Sequence, residues 1–140
     1  MRIWIFALLL VSTAAVAEDT RQLATMPPAA QESLRQEMRG NLVAVNEVLS
    51  LVAEGKIKEA GEVAEAKLGM SAMGKHRMEP FEARPGPHMP PAMHGIGVEG
   101  HKAASEFAAV ARTGDREQTI AQLPKLTAGC VGCHFSYRIR

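Results

Sequence analysis

Aromatic side chains are scarce in this 140-residue chain, at 4% of residues. Phe, Tyr and Trp usually supply much of a core's buried area, so their scarcity leaves room for another bulky apolar body inside the fold. An excess of charge is also lacking. The chain has 16 Lys and Arg against 15 Asp and Glu, a formal net charge of +1. That balance excludes the strongly basic footprint of a nucleic-acid-binding protein. Long apolar runs are missing too: Ile3–Val11 is too short to span a bilayer, and no other stretch comes close. Cysteine is limited to two residues, enough for one disulfide and too few for a four-ligand zinc site.

What is present begins with an export signal. Arg2 supplies a positive start, Ile3–Val11 a short apolar stretch, and Ala15-Val16-Ala17 small residues before a cut. Cleavage after Ala17 divides the chain into a signal peptide, 1–17, and a single periplasmic domain, 18–140, with no membrane span. Arg2, Trp4 and Phe6 leave with the signal. The mature charge becomes zero, and the remaining aromatics are Phe81, Phe107, Phe135 and Tyr137.

An exported chain could oxidise its two cysteines to a disulfide. Their spacing argues otherwise. Cys130-Val131-Gly132-Cys133-His134 is the Cys-x-x-Cys-His signature of c-type haem attachment. Two thiols add to the haem vinyl groups as thioethers, and the adjoining histidine reaches the iron. On a helix, positions i, i+3 and i+4 share a face, so Cys130, Cys133 and His134 point at one cofactor. A redox dithiol of thioredoxin type would open a helix after a strand, and no strand pattern precedes this motif.

Helical spacing dominates the rest. A first helix from Pro28 to about Gly55 has Leu34, Met38, Leu42, Val45, Leu49 and Val52 at steps of three or four. A second runs from about Ile57 to Leu68. Residues 69–95 carry five prolines and several glycines and read as a long crossover loop. A third helix resumes at Ile96 or Val98 and ends at Gly114. Asp115 to Gln118 forms a capping box for the fourth, whose stripe is Ile120, Leu123, Leu126 or Thr127, Cys130, His134 and Tyr137. Pro124 interrupts it and predicts a kink or an irregular first turn. Residues 18–27 read as loose, and no β-like alternation occurs. The fold class is all-α: an antiparallel four-helix bundle with covalent haem near its C-terminal end.

At these residues the chain resembles the cytochrome c prime family of periplasmic four-helix haem proteins. The specific match is Cys130-Val131-Gly132-Cys133-His134-Phe135-Ser136-Tyr137-Arg138, since the family carries Cys-x-x-Cys-His-x-x-Tyr/Phe-Arg. The Gly114-Asp115 turn, Arg35-Gln36 near the start of the first helix and Gly55-Lys56 at its end extend the likeness over most of 30–140. The resemblance implies one haem c and either of two functions. Most members leave the distal face of the iron open to small gases (NO, CO). Some relatives place a methionine there and transfer electrons. Met38 falls about where the distal residue of the first helix belongs, and Asn41 resembles the methionine-ligated relatives. The alternative role for Met38 is gap-filling in the core, with Leu34 or Leu42 over the iron.

The leading reading is therefore a non-enzymatic electron carrier with His134 and Met38 as axial ligands, a coordination that raises the potential. Arg138, one helical turn after His134, is a candidate contact of the proximal imidazole or a haem propionate. Arg35 is a candidate propionate partner, and His101 a satisfied bundle histidine. Redox proteins are the expected partners, and the resemblance implies a weak homodimer through the first two helices. A more distant alternative is copper binding by the loop residues Met70, Met73, His76, Met78, His88, Met89, Met93 and His94, because thioether and imidazole suit copper; the plain alternatives are a flexible loop that packs its methionines on the haem edge or bundle end, or one that supplies a histidine or methionine as distal ligand in place of Met38.

Overall fold

The computed structural model describes residues 18–140; the export signal read at 1–17 lies outside the described residues. Four helices make up most of it: α1 (Pro28–Ala53), α2 (Ile57–Leu68), α3 (Pro91–Ala111) and α4 (Arg116–Ser136). Short links join α1 to α2 and α3 to α4, and a long crossover joins α2 to α3. Packing runs α1 on α2, α2 on α3 and α3 on α4, while α1 and α4 share little direct packing.

The sequence sets these helix limits by identifiable means. Pro28 stands at the start of α1, where its missing N–H costs nothing. Gly55 and Gly114 turn the chain with positive φ after α1 and α3. Asp115 caps α4, accepting from the Gln118 backbone N–H at 2.9 Å. The Gln118 amide returns to the Asp115 carboxylate at 2.7 Å rather than to its backbone N–H, a variant of the expected box. Helix α4 continues through Pro124 to Ser136, so the irregularity read at that proline is absorbed within a continuous helix.

Three expectations need correction. First, α3 begins at Pro91, five residues before Ile96. The Pro90-Pro91 entry starts the helix, and Gly95, Gly97 and Gly100 lie within it despite their low helix propensity. Met93 and His94 therefore belong to a helix, not to the crossover. Second, residues 18–27 are held in place. Gln22–Leu23 (β1) pairs in parallel with Tyr137–Arg138 (β2), and the Ala24 N–H donates to the Arg138 carbonyl at 2.8 Å. Ala24 and Met26 are buried. Third, the inward stripe of α1 is Ala30, Leu34, Ala44, Val48 and Val52. Leu34 and Val52 of the expected stripe face inward, but Leu42 is 71% exposed and Leu49 44%, so the middle of that stripe lies beside the true interface.

The main core gathers Val48, Val52, Ile57, Ala60, Ala64, Ala104, Phe107, Ala111 and Leu126 from all four helices. Among the described residues Phe107 is the one aromatic side chain that is fully buried. Small residues let the backbones approach. A Cβ on Gly61 would lie 2.8 Å from Ala111 Cβ, and one on Gly129 would lie 3.1 Å from Gly100 Cα. The ion pairs Lys67–Glu47 and Lys125–Glu106 link α2 to α1 and α4 to α3 on the surface. Among the described residues no helix is long and apolar enough to cross a membrane.

Candidate functional site

The Cys-x-x-Cys-His run occupies the last turns of α4, not the first turn of a helix as a thioredoxin-type dithiol would. Both thiols are free; Cys130 is exposed and Cys133 half-buried. Burial pushes the Cys133 thiol up, and neighbouring Cys130 raises it further.

Position on the helix decides where the motif points. Gly129 presses on Gly100 of α3, which fixes the depth of α4 one residue before Cys130. Cys133, on the inner side of α4, then packs against a second cluster built from Ala24, Met26, Ala30, Leu34 and Met93. Met38, Met89, Tyr137 and Ile139 pack against the same cluster. The structure thus brings Met38 of α1 and Cys133 of α4 to one apolar body, although α1 and α4 barely touch elsewhere. Met89 and Met93, four residues apart at the entry to α3, pack there as loop methionines at the bundle end would; Met26 is the member the sequence does not reveal, because it lies in a segment without helical periodicity.

The other candidates distribute as follows. His134 is exposed, and its carbonyl accepts from Arg21 at 3.4 Å. Arg138 is partly buried; its Nε has no hydrogen-bond partner, and Asp19 Oδ2 stands 3.6 Å away. Arg35 serves its own helix, bonding Gln31 at 3.2 Å with Glu32 at 3.8 Å. His101 directs Nδ1 at the Leu68 carbonyl, 2.7 Å away, which ties α3 to the end of α2. Leu34 is buried in the second cluster, and Leu42 stands in the open one turn beyond Met38.

The residues present fit a planar apolar cofactor tethered at Cys130 and Cys133. The thiols and imidazole are of the right kind and spacing on one helix. The buried Arg138 Nε–H lacks an acceptor close to them. An apolar strip on α1 (Met38, Leu42, Val45 and Leu49) leads from the shared cluster into uncovered surface.

The donors of the loop read for copper are dispersed except for Met89 and Met93, which meet at the second cluster. His76 is held by two carboxylates, and His88 stacks edge-on against Phe81 at 4.9 Å with Nε2 3.2 Å from the Phe81 carbonyl. Met78 is 87% exposed while Met93 is buried. Among the described residues no group of three His, Cys, Asp or Glu side chains converges as a metal site.

Comparison with protein families, with curated proteins and with solved structures found no match for this chain.

Proposed function

We propose that this chain is a periplasmic c-type cytochrome, an antiparallel four-helix bundle that holds one haem c covalently and carries single electrons. One observation carries the reading: Cys130, Cys133 and His134 follow one another on the last turns of α4, and Met38 packs against the same cluster as Cys133.

Haem, when bound, supplies a one-electron iron couple. The chain's task is to hold it and set its surroundings. Cys130 and Cys133 would tether it as thioethers through its vinyl groups. His134 would hold the iron from the proximal side and Met38 from the distal side, where a thioether would favour the reduced state. Arg138 is the candidate partner for a propionate or the proximal side. The low polarity of the second cluster keeps water away from the Met38 side. Exposure of Cys130 and His134 leaves one edge of the site near the surface, where a redox partner can approach.

The resemblance-based homodimer gains support from Leu42, Val43 and Leu49, an exposed apolar face on α1. A five-coordinate, gas-binding site is the competing outcome, and it differs only at Met38.

The test of haem attachment is denaturing electrophoresis with in-gel haem detection, after export alongside a c-type maturation system. Haem should stay with the wild-type chain and be lost from a Cys130→Ala/Cys133→Ala double variant. A wild-type chain that releases all its haem on denaturation contradicts the reading.

A further inference from the structure

The crossover between α2 and α3 carries a polar network that the electron-carrier reading leaves unused. His76 Nδ1 is 2.9 Å from Glu79 Oε1, and its Nε2 is 3.1 Å from Glu37 Oε2. Ionised carboxylates only accept hydrogen bonds, so this bridge is complete when both ring nitrogens carry protons. Lys75 Nζ stands 3.2 Å from the other Glu37 oxygen. The Ser33 hydroxyl donates to the other Glu79 oxygen at 3.2 Å, and Arg84 Nε donates to the Glu79 carbonyl at 2.7 Å. The His76 and Glu37 side chains are only 19% and 15% exposed, so solvent screens this pair less than an open one.

The placement gives the network its meaning. Ser33 and Glu37 stand one turn apart on α1, and Met38 follows Glu37. The Phe81–Ala83 turn of the crossover also packs on α1. Met89, further along, packs on the cluster that Met38 joins. The crossover is thus fastened to α1 around the turn that carries Met38. A metal is not the reason. The imidazole lies between the two carboxylates and directs one nitrogen at each, so the three groups do not share a common point.

We propose that His76 is a positioning residue: bridging Glu37 and Glu79, it fastens the crossover to α1 and fixes the turn that presents Met38. This rests on the reading of Met38 as distal ligand. Without the bridge, the crossover lifts more often, Met38 is held less firmly, and small molecules reach the distal side.

The test uses haem-loaded protein and two readouts in His76→Leu and, separately, Glu37→Gln. Trypsin can cut the crossover after Lys75 and Arg77. Cutting should be several-fold faster in both variants, with helix content by circular dichroism unchanged. The low-spin spectrum should lose amplitude to a high-spin component, and the reduced protein should bind carbon monoxide that the wild type refuses. His76→Arg keeps donors for both carboxylates and should restore the low-spin spectrum, which is its readout because the new arginine is itself a tryptic site. A low-spin wild type with variants of identical spectrum overturns the positioning role, even where trypsin cuts faster. A wild type that is already high-spin removes the Met38 reading, and the positioning role falls with it.

Discussion

Gly129 of α4 lies against Gly100 of α3 so closely that a Cβ on Gly129 would stand 3.1 Å from the Gly100 Cα. The obstacle is backbone, which cannot swing aside as a long side chain can. Gly129→Val should therefore destabilise the fold by about 1–3 kcal/mol, the usual cost of overpacking. Its neighbour is Cys130, so the yield of covalently attached haem should fall as well. Gly40 on α1 is the control: it is exposed and has nothing within 4 Å of the added Cβ. Gly40→Ala should stabilise by roughly 0.5–1 kcal/mol through helix propensity. Thermal unfolding of both variants checks the contrast.

Phe107 is completely buried among residues of all four helices. Phe107→Ala should cost about 3–5 kcal/mol, because the lost transfer free energy is joined by a cavity. Denaturant unfolding at constant m-value measures it. A cost near zero would mean that α3 does not face the core as described.

Asp19 secures the N-terminal segment through Arg21, whose side chain bonds it at 2.9 and 2.7 Å and holds its carboxyl down to about 2 from an ordinary 3.8. A carboxyl depressed on folding adds stability that is fully present above its ordinary value and is lost as pH falls through the folded value. Attachment of residues 18–24 should thus hold at neutral pH and weaken between 3.8 and about 2. Protection of the Ala24 N–H from hydrogen exchange reports it, since that group donates to the Arg138 carbonyl. In Asp19→Asn this acid-dependent step should disappear. Both side chains are well exposed, so the effect is local.

Much of this was legible in the sequence. The limits of α2 and the Asp115 cap follow from local chemistry and are where the pattern puts them; the crossover starts where expected and ends at Pro90, before the reading placed it. The face of α1 was misjudged for a physical reason. Periodicity weights Leu heavily, while close helix packing selects the small side chains of Ala30 and Ala44. The start of α3 was hidden because three glycines dilute its first turns. The β1–β2 pair is two residues long, too short to show alternation, so the attachment of residues 18–27 left no trace. At the site, Cys130, Cys133 and His134 are legible from spacing alone. The approach of Met26, Met89 and Met93 to Met38 is a product of tertiary folding.

Met38 decides between an electron carrier and a gas-binding protein. Met38→Ala should leave haem attachment intact, because Cys130 and Cys133 are untouched. The variant should still be helical by circular dichroism, since Met38 only borders the second cluster.

The most direct test is the absorption spectrum of oxidised and reduced protein, wild type beside Met38→Ala, with and without carbon monoxide. The prediction is a low-spin wild type that ignores carbon monoxide and a high-spin variant that binds it once reduced. A variant whose spectrum matches a low-spin wild type would contradict the assignment of Met38, and a wild type that is high-spin and binds carbon monoxide would contradict the electron-carrier reading as well.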